Sequence, residues 1–279
     1  MLGSGGAVPR GCWLSFFAVL SALAVLFAAY PSFDVEVAEW FFDPGTADFP
    51  LSHDPAWKLI RRGLNWLPFL FLLPVGFALA RKLIRPSERM TIAPSAALFL
   101  VGTLLLGPGV VSNMLLKEHW GRPRPNGIEQ FAGTASFKPW WQPSDACRQN
   151  CSFVSGEASL AFWTAAPASL APPQIRSAAI GGAVVFGTAV GSLRVAFGRH
   201  FASDIVFAGI ITLAIVFALY RFLLEPLRRN DAALERGLER AFMRLHRVAG
   251  TVLAAIGEGL ANLGSSLRSR GQHLRDRVA

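Results

Sequence analysis

What most constrains this chain is a series of apolar runs, each close to the roughly 20 residues that a helix needs to cross a bilayer core. Six of them recur along 279 residues, over 12–30, 64–80, 93–116, 153–171, 177–196 and 205–224. In hydrocarbon every backbone N–H and C=O must find its partner inside the protein, so runs of this length form helices. The expected architecture is an all-α integral membrane protein: a six-transmembrane-helix bundle over 1–224, followed by a C-terminal cytoplasmic amphipathic helix over 225–279. Composition agrees, since 52% hydrophobic residues, 16% charged residues and a mean hydropathy of +0.40 exclude an ordinary soluble domain. A net charge of +9 raises the question of nucleic acid. The basic residues flank the apolar runs and crowd the tail instead of interleaving with aromatics, so the anionic partner expected is a membrane surface and not nucleic acid.

Orientation follows from the basic turns. The first run resembles a signal peptide in position, but its long apolar core and the lack of a small-x-small cleavage site favour a retained span. Arg81, Lys82, Arg85 and Arg89 follow the second run, Arg176 lies between the fourth and fifth, and Arg221, Arg228 and Arg229 close the sixth. Placing these inside puts both termini in the cytoplasm and turns the loops 31–63, 117–152 and 197–204 outward together. Lys58, Arg61 and Arg62 pull the other way, so the second run alone does not fix the topology. The first outer loop holds the acids Asp34, Glu36, Glu39, Asp43, Asp48 and Asp54, with Trp40, Phe41, Phe42 and Trp57 suited to an interfacial belt. Gly107-Pro108-Gly109 predicts a kink or break inside the third run. In the tail, Leu234, Leu238, Phe242, Leu245, Val252, Ile256, Leu260, Leu263 and Leu267 recur at helical steps, with ten arginines against six acids. That pattern suits an anionic cytoplasmic leaflet. Gly250, Gly257, Gly259 and Gly264 leave a broken or self-associating helix open. Cys147 and Cys151 form a C-x3-C pair, a disulfide if the loop faces an oxidising compartment and free thiols otherwise. Cys12 is expected to pack as a small hydrophobe.

The chemistry-bearing residues lie at the outer ends of the runs. Arg194, His200 and Asp204 are spaced R-x5-H-x3-D; His200 and Asp204 are one helical turn apart, close enough for the carboxylate to hold the imidazole in one tautomer. Arg194, across Gly198, can present its planar donors to an anion in front of that ring. Alone, the triplet favours the bland reading of a solvated membrane-edge loop. Lys117 and Arg124 are spaced K-x6-RP, and the prolines flanking Arg124 stiffen it into an anion clamp; the bland alternative is positional anchoring at a helix end, and Arg122 and Lys138 are expected to do that. Ser155 and Gly156 open the fourth run, where Ser155 can cap the helix and free amides can hold phosphate. Glu157 stands in the first turn, as half of a capping arrangement or as a carboxylate with work to do. His53, His119, His200, His246 and His273 are scattered, and no metal-ligand spacing occurs.

Taken in order, K-x6-RP, SG and R-x5-H-x3-D resemble the type-2 phosphatidic acid phosphatase superfamily, whose pattern is K-x6-RP, PSGH and SR-x5-H-x3-D on a six-helix membrane core. The resemblance covers about 60–225. It implies a metal-independent, cofactor-free lipid phosphatase in which Lys117, Arg124 and Arg194 bind phosphate, Ser155 and Gly156 add hydrogen bonds, and His200, oriented by Asp204, forms a phosphohistidine. Val154 and Leu193 replace the motif proline and serine. Glu157 replaces the histidine that protonates the leaving group, so the general acid is either a carboxyl group or absent. The VSGE variant is similar to bacterial envelope phosphatases of the lipid A type. Such enzymes would act on a membrane lipid at the periplasmic face of the inner membrane, with lipid A and undecaprenyl diphosphate among the candidates. A lipid phosphotransferase, or a non-catalytic phospholipid-binding relative, are the alternatives that Glu157 leaves open.

Overall fold

The computed structural model describes residues 10–275; the side chains of Cys12, Leu263 and Leu267 lie outside what is described. The chain divides into two compact units, one of residues 1–76 and 95–229 and another of residues 77–94 and 230–279. Among the described residues the regular structure is helical, with isolated β-bridges only.

In the first unit, α1 (Arg10–Ala29) is followed by a bend of 98° into α2 (Phe33–Glu39). Its outward side chains, such as Leu14 and Val19, are apolar, as a lipid-facing surface requires. Next, α3 (Pro55–Leu70) begins well before residue 64. Asp54 caps it, accepting from the amides of Ala56 and Trp57, and Pro55 fits the first turn because its missing N–H would go unused there. Lys58, Arg61 and Arg62 therefore ride on the helix and not on a loop. Pro68 weakens the far end of α3, and α4 (Leu73–Ile84) continues at a bend of 45°.

The Gly-Pro-Gly stretch does not break α5 (Pro94–His119). Residues 105–116 widen into an i→i+5 helix, which absorbs the donor that Pro108 lacks, and the Asn113 side-chain amide donates to the Pro108 carbonyl at 2.6 Å. Over 153–171, where a fourth span is expected, the helix is interrupted by a turn at 163–164 into two short pieces, α6 (Gly156–Phe162) and α7 (Ala165–Ser169). They pack against α8 (Pro173–Ala196) and α9 (Ala202–Arg228) around a core of Phe153, Val154, Ala158, Phe162, Val195, Ile205 and Ala208. Among the described residues three helices, α5, α8 and α9, are long and apolar enough to cross a membrane, or up to five spans if each bent pair counts as one. The chain is a multi-pass membrane protein. A second cluster of Ala38, Phe49, Ile128, Phe131 and Phe201 joins α2 to the long loop.

In the other unit, α10 (Asp231–Arg275) is one continuous helix despite its glycines. Buried Lys82 donates to the Glu88 carbonyl at 2.8 Å and pairs with Glu235 at 3.4 Å, and the Met90 amide also donates to Glu235. Leu245, Val248, Val252, Leu253, Ile256 and Leu260 are exposed along α10.

Candidate active site

A polar cavity of about 510 Å3 opens where the ends of α3, α5, α6 and α8 meet the long loop. Three motif cations line it: Lys117 from α5, Arg124 from the loop and Arg194 from α8. Arg124 is held by the Asn150 carbonyl, which accepts from Nε at 3.0 Å and from Nη2 at 2.6 Å. Asn150 lies between Cys147 and Cys151, which are joined as a disulfide, and the Cys151 amide donates to the Lys117 carbonyl. Arg194 is buried, its Nε makes no hydrogen bond, and the nearest carboxylate oxygen, on Glu157, is 3.5 Å away. A buried cationic donor paired with a carboxylate but left without a hydrogen bond is costly unless an anion completes it. Four further cations line the same space, Lys58, Arg61 and Arg62 from α3 and Arg199. The α3 residues are the same ones that keep the second run from fixing the topology by itself, and all three line the cavity.

His200 is 2% exposed. Its Nδ1 lies 2.7 Å from the Ser152 carbonyl, and a carbonyl only accepts, so Nδ1 carries the hydrogen and Nε2 the lone pair. The direct hydrogen bond expected from Asp204 is not made: Oδ2 stands 3.7 Å from Nδ1. That oxygen is taken by the Ser152 hydroxyl at 2.5 Å and the Phe201 amide at 2.8 Å. Asp204 thus acts through Ser152, whose hydroxyl it fixes and whose carbonyl fixes the ring. Burial lowers the pKa of His200 below its ordinary value, against the opposing pull of Asp204. Gly198 makes the turn between Arg194 and His200 at φ +63°, and a Cβ there would also meet the Phe49 ring at 2.3 Å.

Arg122 corrects the sequence expectation of helix-end anchoring, because it is completely buried. Its guanidinium donates to Asp34 at 2.8 Å, Asp204 at 2.5 Å, the Ser203 hydroxyl at 2.8 Å and the Lys138 carbonyl at 2.9 Å, with its flat face 4.4 Å over the Phe201 ring. Asp34 accepts in turn from the Ser203 amide and hydroxyl. Burial pulls Arg122 down, but Asp204 and Asp34 outweigh it and hold the group above its ordinary pKa. Asp34 is one of six acids in the first outer loop, and no local pattern separates it from the other five.

Glu157 faces the cavity, and Arg61 grips it as a fork, with Nε 2.9 Å from Oε2 and Nη2 2.5 Å from Oε1. Ser155 caps α6, its Oγ accepting from the Ala158 amide at 3.4 Å. Ser155 and Gly156 are buried and do not line the cavity. Glycine is needed at 156, since a Cβ would come within 2.3 Å of Asn113 Oδ1 on α5. Among the described residues no group of three or more His, Cys, Asp or Glu is placed to hold a metal ion.

The bundle and this site define a membrane phosphatase: the chain belongs to the PAP2 superfamily, whose family model matches residues 96–227. Among curated proteins it is 34% identical over 199 residues to "Lipid A 4'-phosphatase" of Francisella tularensis subsp. novicida (strain U112), covering 70% of this chain and 88% of that one. It is 30% identical over 210 residues to the protein of the same name from Rhizobium leguminosarum, covering 71% and 90% of the two chains. With the protein of that name from Rhizobium etli it shares 31% identity over 225 residues, covering 75% and 86%. No solved structure matches the chain.

Proposed function

We propose that this protein removes a phosphate monoester from the head group of lipid A or a closely similar envelope lipid, at the periplasmic face of the bacterial inner membrane, through a phosphohistidine. The observation that carries the reading is the buried Nε of Arg194, ion-paired with Glu157 at 3.5 Å but without a hydrogen bond, in a cation-lined cavity whose Arg194 and Arg124 act electrostatically on a buried histidine with its Nδ1 already committed. Arg194, Arg124 and Lys117 hold the phosphate oxygens and spread the charge that grows on them in the transition state. Nε2 of His200 attacks phosphorus, the bond from phosphorus to the lipid oxygen breaks, and water then attacks the phosphohistidine to release inorganic phosphate. Asp204 and Ser152 keep the ring aligned, while Ser155 and Gly156 shape the start of α6 instead of touching substrate. Glu157, gripped by Arg61, is a carboxylate that positions cations; the leaving oxygen takes its proton from water.

A lipid substrate is supported by an apolar groove of about 710 Å3 that includes Leu67, Leu70, Pro167, Ala183 and Phe186. The same helices feed both sites, α3 through Arg61 and Leu67 and α8 through Arg194 and Ala183. Along α8 the two are about 16 Å apart at about 1.5 Å per residue, a head group above and acyl chains below. The periplasmic assignment is supported by the disulfide, which persists in an oxidising space. It goes with six spans, the two bent pairs and the interrupted run at 153–171 each counted as one, with cytoplasmic termini and a tail on the anionic leaflet. Reporter fusions at residues 45 and 145 and at both termini check that arrangement. The enzymatic test is phosphate release from lipid A in neutral detergent micelles by the wild type and by His200→Ala. Release by the wild type alone is expected, and equal release by both would end the proposal.

A further inference from the structure

The cavity holds more positive charge than one phosphate uses. Seven cationic side chains and a single carboxylate line it. Lys117, Arg124 and Arg194 serve the phosphate that is cleaved, and Glu157 occupies Arg61. Lys58, Arg62 and Arg199 remain, and among the described residues their side chains have no hydrogen bond or ion pair. Like charges gathered in one cavity repel, and more strongly at the effective dielectric of a protein surface than in bulk water. Gathering three unpaired cations around an already cationic clamp is therefore unfavourable by itself, and an anion is the natural counterpart. These residues also come from separate parts of the chain, Lys58 and Arg62 from the first turns of α3 and Arg199 from the α8–α9 turn, so no single helix end accounts for them. Arg199 acts electrostatically on both Arg124 and Arg194, which places it beside the cleaved phosphate and not on a remote surface.

We propose that Lys58, Arg62 and Arg199 form a second anion subsite, which binds another negatively charged group, phosphate or carboxylate, on the same head group as the phosphate that is cleaved. This rests on the lipid phosphatase reading above and narrows it: the preferred substrate is a multiply anionic head group, and lipids with a lone phosphomonoester are poor ones. The subsite contributes binding and not chemistry, so its signature is in KM more than in kcat.

The test uses full-length protein in neutral detergent micelles, where no anionic bilayer competes for the cations. Phosphate release is measured from two lipid A derivatives, one carrying two phosphates and one carrying only the phosphate that is removed. A third derivative, with a carboxylate in place of the second phosphate, shows which anion the subsite takes. The wild type is expected to prefer a doubly anionic lipid by about tenfold or more in kcat/KM, chiefly through KM. Arg62→Ala with Arg199→Ala is expected to bring that preference close to one. Both side chains are exposed, so the fold does not depend on them. A wild type that acts on both lipids equally, or a double variant that keeps the preference, overturns the subsite while leaving the phosphatase reading intact. Release from none of the lipids overturns both.

Discussion

Removing Arg122 tests whether the buried network is a unit. In Arg122→Ala, Asp34 and Asp204 lose their shared counter-ion while both stay buried, at 1% and 0% exposure. Each retains other donors, Asp34 the Ser203 amide and hydroxyl and Asp204 the Ser152 hydroxyl and the Phe201 amide, so neither is stripped bare. Breaking a buried ion pair from one side costs about 3–5 kcal/mol, a large share of the roughly 5–15 kcal/mol that a domain has in total. At about 2–4 °C per kcal/mol for larger domains, the melting temperature falls by about 6–20 °C. Asp34→Asn is milder, about 1–3 kcal/mol, because Arg122 keeps Asp204. The double variant removes the unpaired charge of Asp34 together with its cause, so it is expected to be more stable than the sum of the two singles predicts, by about 1–3 kcal/mol. Thermal unfolding of the purified variants in detergent, followed by tryptophan fluorescence, measures all three. An Arg122→Ala protein that melts within about 1 °C of wild type, or single effects that simply add, would refute the reasoning.

Glu157→Gln is expected to lower kcat less than about tenfold and to raise KM as Arg61 is freed, whereas loss of a true proton donor costs about 100-fold to 10,000-fold in rate. Steady-state kinetics on lipid A separate the two. Because burial lowers the His200 pKa, its neutral, nucleophilic form persists below the ordinary histidine value of about 6.5. The acid limb of kcat/KM, corrected for a substrate phosphate that titrates at about pH 6, is expected below that value; a limb at or above it would contradict the burial argument. Gly156→Ala drives a methyl group into Asn113 and is expected to cost about 1–3 kcal/mol, with recovery when Asn113→Ala is added, read by the same unfolding assay.

Much of the site was legible because the chemistry requires particular side chains at fixed spacings. Lys117, Arg124, Arg194 and Glu157 were all singled out by position along the chain, and all four line one cavity. His200 and Asp204 also stand out by spacing, yet helical spacing says that two side chains are within reach and not which acceptor wins. Ser152 wins because its carbonyl lies at 2.7 Å while Asp204 is engaged elsewhere. Arg122 was misjudged for a similar reason: a cation beside a span end is ordinarily solvated, and only a carboxylate brought from residue 34 makes its burial tolerable.

By itself the sequence determined the class of protein, because apolar length and the need to satisfy the backbone in hydrocarbon leave few alternatives, and the spaced motif marks the candidate site. Tertiary structure alone decided the partners of each charge. It brought Arg61 to Glu157 across 96 residues and Asp34 to Arg122 across 88. Local spacing constrains contacts within a helical turn, whereas pairing over such separations depends on how whole helices pack, and no short window of residues records that.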